Sequence, residues 1–316
     1  MPPTTIGVPA IKQRTWSVTT SYTVSQIVSY NLALGASGTN LALVYEGHPS
    51  SHALPTFGAV HGIAVMGLVH RAMTDFLPNF QGHNHVHGEH YLKLMRAYPI
   101  PQGTNEIRLK TTARVVHVVD RKKGVLVCVD IVTSEEKLGD VVCENDWAGF
   151  IMKVPTTGAN AEQMERGERT MLHPTPSRRP DKVLSHRTSP EQAALYRAAS
   201  GDLNPLHIDP KIATAAGFPA PILTGTCTLG IGVIRHVIEA FCAGDVSRFV
   251  SVKARLSKPV FAALREEEKT EMSEEVTQEG WRRVLFRMVV DEQARKAEKI
   301  VISQGCVELG RVEARP

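Results

Sequence analysis

The chain has 316 residues, 42% of them hydrophobic and 22% charged, with 36 Lys plus Arg set against 32 Asp plus Glu. A net charge of only +4 argues against a general binder of nucleic acid, while leaving room for a local basic patch. No apolar run approaches the ~20 residues that cross a bilayer, and the start Met1-Pro-Pro-Thr-Thr lacks the basic-then-apolar layout of a secretory signal. The five cysteines (Cys128, Cys143, Cys227, Cys242, Cys306) are widely spaced in apolar stretches, as buried reduced thiols are. We therefore expect an intracellular protein, long enough for roughly two domains, with neither a nucleic-acid nor a membrane partner.

The expected elements come in two similar series. The first opens with a short helix at about 23–35 and an irregular loop, followed by an apolar helix from Gly58 to Phe76. Strands follow at about 86–96, 105–119, 124–134 and 141–152. Lys153–Asp181 is rich in Pro, Gly and charge and reads as a linker. The second series has a helix at about 190–199, a loop, a helix from Gly225 to Phe241, and strands at about 247–257, 267–276, 281–291 and 299–309. The spacing is constant at several landmarks. Tyr30-Asn-Leu-Ala-Leu-Gly35 resembles Tyr196-Arg-Ala-Ala-Ser-Gly201, and 196 − 30 = 166; Pro55 and Pro221, which precede the two apolar helices, are also 166 apart. Gly124 and Gly280, each at a turn between strands, are 156 apart, so loop residues have been lost in between. Order and spacing together indicate two copies of one α+β unit, at 1–152 and 183–316 with a linker at 153–182. In each, a long buried helix is wrapped by an antiparallel sheet. Glycines within the second helix lower its propensity and would suit close approach of that sheet.

The stretch with chemistry in it is Gly201-Asp202-Leu203-Asn204-Pro205-Leu206-His207. Gly201 and Pro205 place it on irregular backbone beyond a helix, where several polar side chains can turn towards one point. A carboxylate beside an imidazole is a proton-handling pair, and Asn204 can hold a water or a neighbouring side chain. The plainer alternative is a turn whose Asp and Asn bond only to backbone. At the offset of 166, Asp202 falls on Ala36 and His207 on Leu41, so the first copy carries an apolar version of this loop. Gly225 opens the second buried helix, whose unpaired N–H groups suit an oxygen gaining negative charge; taken alone, an ordinary capped helix start is the plainer alternative.

Tyr196 to Pro210, then Ala-Gly-Phe218, then Pro221-Ile-Leu-Thr-Gly225, resembles the signature of MaoC-like, hydratase 2 type (R)-specific enoyl-CoA hydratases. The likeness extends through Tyr45-Glu-Gly47, Leu54-Pro-Thr-Phe57 and His87-Gly-Glu-His-Tyr-Leu92 in the first half, and through Lys253-Ala-Arg-Leu256 in the second. The resemblance implies a double hot-dog fold and reversible hydration of a trans-2-enoyl-CoA to a (3R)-3-hydroxyacyl-CoA in β-oxidation, with no cofactor, since CoA is part of the substrate. It implies a catalytic Asp202 and His207 supported by Asn204, with Glu46 as an acidic position of the non-catalytic copy. Gly225 would be the oxyanion donor. His87, Gly88, Arg121, Leu203, Pro205, Leu206 and Leu256 would line the CoA-ester site, with the first repeat accommodating the acyl chain. Thr224 stands where the family commonly has histidine, and Phe261-Ala-Ala263 lacks its usual Pro-Gly turn. A homodimer is expected, and a peroxisomal location by resemblance. The C-terminal Glu-Ala-Arg-Pro316 is not a Ser-Lys-Leu-type address, which leaves the cytosol open.

The alternatives are another acyl-thioester protein of the same fold, namely a dehydratase of fatty acid synthesis or a thioesterase, and a non-catalytic acyl-CoA binder. His83, His85 and His87 would face one way on an extended strand and could be metal ligands. The proposed reaction needs no Lewis acid, and no metal is expected.

Overall fold

The structure, a computed structural model, describes residues 6–155, 167–261, 264, 266–292 and 297–311. Part of the expected linker (156–166), the turn residues 262–263 and the C-terminal residues 312–316 lie outside the described residues.

Ten strands form one antiparallel sheet. They are β1 (Thr15–Tyr22), β2 (His85–Leu94), β3 (Ile107–Arg121), β4 (Gly124–Glu135), β5 (Val141–Met152), β6 (Lys182–Arg187), β7 (Phe249–Leu256), β8 (Glu267–Val276), β9 (Trp281–Glu292) and β10 (Ala297–Arg311). Their spatial order is β1-β3-β4-β5-β2-β7-β10-β9-β8-β6, one five-strand order followed by its own reverse. The eight expected strands are present, and the expected turn glycines sit in the β3–β4 and β8–β9 connections with positive φ, 154° at Gly124 and 81° at Gly280. β1 and β6 were not anticipated. Both are edge strands rich in polar residues, and β6 is mostly exposed and shows no apolar alternation. β1 does alternate, with Trp16, Val18 and Tyr22 on its more buried face, but only these three of its eight residues are apolar.

The two halves of the sheet join where β2 pairs with β7, with Glu89 opposite Arg255 and His90 opposite Ala254. At this seam Lys253 Nζ meets Glu89 Oε2 at 2.9 Å, a largely buried ion pair between the halves. The two leading helices, Val24–Ala33 and Gln192–Ser200, also pack on each other. Their contacts repeat the spacing seen in sequence. The rings of Tyr30 and Tyr196 stand 5.8 Å apart. Gln26 Nε2 donates to the Ala199 carbonyl at 3.2 Å, and Gln192 Nε2 donates to the Ala33 carbonyl. Since 192 − 26 and 199 − 33 both equal 166, one hydrogen bond is the image of the other.

Each half wraps a central helix. The first spans Gly58–Ala72 and is followed by a single 3₁₀ turn, Met73–Asp75. Val65, Val69 and Met73 pack there with Val115, Val127 and Val129 of the sheet in one buried cluster. The second begins at Gly225, passes through a π-helical stretch at Gly230–Arg235 and ends at Cys242. Its glycines mark close approach: a methyl group on Gly232 would overlap the Met288 side chain, and one on Gly230 would stand 2.7 Å from Leu34 Cδ1. The wider π turn was not foreseen from sequence, which carries no Pro there.

Candidate active site

The helix Gln192–Ser200 stops at Gly201, whose φ of 71° is a left-handed value that glycine adopts without strain. The chain then turns through Asp202 and closes one 3₁₀ turn, Pro205–His207. Asn204 caps that turn: its side-chain oxygen accepts the Leu206 N–H at 3.1 Å, and its own N–H donates to Asp202 Oδ1 at 3.0 Å. Arg197 Nη1 donates to the Asp202 carbonyl at 3.0 Å, tying the loop back to the helix. One oxygen of Asp202 is thus held by backbone. The other, Oδ2, stands 3.7 Å from His207 Nε2, with the Thr224 hydroxyl 3.5 Å away.

His207 is nearly buried, and its Nδ1 lies 2.8 Å from the Ile222 carbonyl oxygen. A carbonyl only accepts, so Nδ1 carries the hydrogen, and the neutral form of the ring would turn a lone pair on Nε2 towards Asp202. The gap between the two is too long for a strong direct hydrogen bond. A water donating one hydrogen to each would bridge it.

Gly225 begins its helix directly after Thr224, whose side chain does not cap it. A methyl group at Gly225 would overlap Leu256 Cδ1 and stand 3.4 Å from His87 Nδ1. Only glycine leaves this helix end open, and its first-turn N–H groups make it electropositive. His87 stacks on Trp147 with ring centres 3.9 Å apart, and neither of its ring nitrogens has a hydrogen-bond partner among the described residues. Burial, with His90 and His85 nearby, holds its pKa well below the ordinary histidine value, so the ring is neutral. Asp202, His207, Thr224, Gly225, His87 and Leu256 all line one cavity of about 890 Å³. That is room for a sizeable organic ligand. The site combines a carboxylate–imidazole pair, an uncapped helix start and a largely apolar chamber.

Residues 20–153 match the family model of the MFE-2 hydratase 2 N-terminal domain, and residues 172–291 match that of the MaoC-like domain. The probable enoyl-CoA hydratase 2 of Dictyostelium discoideum is 33% identical over 76% of this chain and 78% of its own. The chain belongs to the hydratase 2 family of MaoC-like proteins. The peroxisomal multifunctional enzyme type 2 of Mus musculus is 35% identical over 95% of this hydratase 2 chain, which spans only 38% of the mouse protein's length. Among solved structures, a MaoC-like dehydratase from Phytophthora Capsici superposes with a TM-score of 0.79 at 28% identity, covering 98% of both chains. Full-length peroxisomal multifunctional enzyme type 2 from Drosophila melanogaster gives 0.72 at 32% identity, over 93% of this chain and 48% of that one. A double hot-dog is the fold of this group.

The hydratase 2 cavity also takes in Leu203, Asn204, Pro205 and Leu206, with Leu203 70% exposed at its rim. Three other residues singled out by resemblance lie outside its lining. Glu46 is exposed on the turn after Val44. Gly88 sits at a bulge in the β2–β5 pairing, where a side chain would stand 3.3 Å from the Ala148 carbonyl oxygen; it interrupts the register beside His87 and faces the sheet. Arg121 ends β3 opposite Gly124, whose other neighbour, Met152, is on the cavity wall. His83, His85 and His87 do not gather as ligands: His85 stacks on His70 and His87 on Trp147, and among the described residues no group of three or more is placed to hold a metal ion. Sequence reasoning gave no role to Trp147, Ile222 or Arg197. The contributions of Ile222 (a carbonyl) and Arg197 (a bond to a carbonyl) run through backbone atoms, which side-chain identity does not announce.

Proposed function

We propose that this chain reversibly hydrates trans-2-enoyl-CoA to (3R)-3-hydroxyacyl-CoA, with Asp202 and His207 handling the proton and the Gly225 N–H stabilising the thioester oxygen. The observation that carries the reading is the 3.7 Å gap between Asp202 Oδ2 and His207 Nε2, beside an uncapped helix start in one cavity. A water donating to both groups aims its own lone pair at C3. As the C3–O bond forms, the pair takes one proton from the water, and electron density moves through the double bond to the thioester oxygen. The helix N-terminus favours that charge. The proton held by the pair then passes to C2, which completes addition of water without any cofactor. General acid–base assistance of this kind is typically worth about 10²–10⁴-fold.

Asn204 acts here as a positioning residue, since its N–H and side-chain oxygen fix the loop. The second half of the chain supplies the proton-handling loop, and the first half supplies part of the chamber wall and receives the acyl chain. The peroxisomal names of the relatives support a peroxisomal setting in fatty acid oxidation. Assembly as a homodimer belongs to the same proposal, and light scattering tests it. The decisive experiment incubates the protein with crotonyl-CoA and longer trans-2-enoyl-CoAs and resolves the product on a chiral column. Loss of the conjugated-thioester absorbance without release of CoA, giving the 3R alcohol, is expected. Release of free CoA would instead indicate a thioesterase.

A further inference from the structure

One arm of the cavity runs from the catalytic loop into the first half of the chain. Ile63, Met66 and Gly67 form its wall on the first central helix, with Trp147 opposite on β5. An apolar arm of this kind would be expected to end in apolar residues. Its lining includes two histidines instead: His70 and His85 both line the cavity, stack with ring centres 5.1 Å apart, and bring their Nδ1 atoms within 2.9 Å of each other. Arg71 stands beside them at the exposed rim.

The Nδ1 contact requires one ring to donate and the other to accept, so the two neutral rings share a single hydrogen between them. Burial lowers the pKa of His85 to about 3 and lowers that of His70 as well, with Arg71 adding to the effect on His70, so both stay neutral at physiological pH. His85 turns its Nε2 against Gly149, while His70 Nε2 points towards Gly82 on the cavity wall. When the shared hydrogen belongs to His85, His70 Nε2 bears a hydrogen; when it belongs to His70, that nitrogen offers a lone pair. The pair can therefore meet an oxygen that accepts, that donates, or that does both.

Position along the arm fits the end of a chain. His87, next to Gly225, lies two residues along β2 from His85, about 7 Å along the strand. On the helix side, Ile63, Met66 or Gly67, and His70 follow one face in successive turns.

We infer that this arm receives the acyl tail, and that His70 and His85 recognise an oxygen at its far end, so that the preferred substrates are medium-chain enoyl-CoAs bearing a terminal hydroxyl or carboxyl group. The inference rests on the hydratase reading and names the substrate class of that same site. Arg71 serves the carboxylate form. Because cations from both halves, Arg71 and Lys258, line the cavity, the test must also establish that tail rather than CoA occupies the arm.

Binding of two saturated acyl-CoAs of equal medium length, one plain and one with a terminal hydroxyl, is measured by calorimetry on the full chain. The wild type is expected to bind the hydroxylated ligand at least as tightly, and His70→Leu and His85→Leu are expected to cut that ratio about tenfold, one hydrogen bond's worth. His70→Asn, which keeps a polar end, should retain more of the ratio. Crotonyl-CoA, too short to reach the pair, should be hydrated at wild-type rate by all three variants, which also reports correct folding. A methyl at Gly67 meets little but Arg71 Nη1, 3.7 Å away; Gly67→Phe should therefore block longer substrates and spare crotonyl-CoA. The inference is overturned if the wild type prefers the plain tail, if the ratio is unchanged in both leucine variants, or if Gly67→Phe lowers crotonyl-CoA turnover equally. A protein that binds with the expected ratio yet hydrates nothing would instead overturn the reaction and leave the recognition standing.

Discussion

Replacing Asp202 with Asn tests the proton-handling pair at a single atom. The amide oxygen of Asn can still accept the Asn204 N–H that Asp202 Oδ1 accepts at 3.0 Å, so the loop has every reason to keep its shape. Its NH₂ group then takes the place of Oδ2, opposite the His207 Nε2 lone pair now 3.7 Å from that oxygen. A donor in that place cannot accept a hydrogen from water, and the bridge to His207 is lost. Loss of acid–base assistance should lower kcat by about 10²–10⁴, a barrier increase of roughly 3–5 kcal/mol. Thermal stability should change by no more than about 1 kcal/mol, since one local hydrogen bond is at stake and its replacement is nearly isosteric. The assay follows disappearance of the conjugated thioester of crotonyl-CoA, with a melting curve on the same sample. A variant that stays folded and keeps more than a tenth of wild-type kcat would refute the argument. Asp202→Ala is the useful contrast, because it removes the loop contact together with the charge.

Gly225→Ala should lower kcat/KM about 10²-fold by pushing Leu256 into the helix start; Leu256→Ala in the same chain should restore part of it, and steady-state kinetics on the double variant would show whether it does. Glu268 is buried, its Oε1 accepts the Thr188 hydroxyl and its Oε2 has no partner among the described residues; burial raises its pKa to about 7. A carboxyl whose folded pKa is raised binds its proton more tightly in the folded state, so its contribution to stability falls as pH rises from the ordinary carboxylate range through about 7. Glu268→Gln should remove that part of the slope, and melting temperatures taken from pH 5 to 8 would reveal it. Lys253→Met leaves the Glu89 carboxylate without its ion-pair partner at the seam between the halves; a loss of about 3 kcal/mol is expected in urea unfolding, and an unchanged midpoint would mean that the pair contributes little.

The repeat was legible because it is carried by residues that meet: Tyr30 and Tyr196 mark the offset in sequence and stand against each other in space. The central strands and both buried helices were legible through their apolar periodicity. Edge strands were not, since β6 exposes most of its side chains and has little pattern to display. At the site, residue type and punctuation singled out the loop from Asp202 to His207, and its residues line one cavity. The tautomer of His207 did not, because a backbone carbonyl, that of Ile222, sets it. Resemblance transferred positions but could not say which way Gly88 faces or that Glu46 lies exposed. His85 drew notice only as one of three spaced histidines; its true neighbour, His70, comes from the helix and is invisible to a search along the strand.

The two glutamines that trade carbonyls across the helix pair give the molecule an unusual kind of interdependence. Gln26 completes a helix end that belongs to the other half, and Gln192 returns the favour, so each half holds a missing piece of its sibling. A symmetric assembly of identical halves would have to alter both chambers whenever it altered one. Joined in a single polypeptide, the halves are free to diverge: the loop from Asp202 to His207 can stay unaltered in one while the other changes around it.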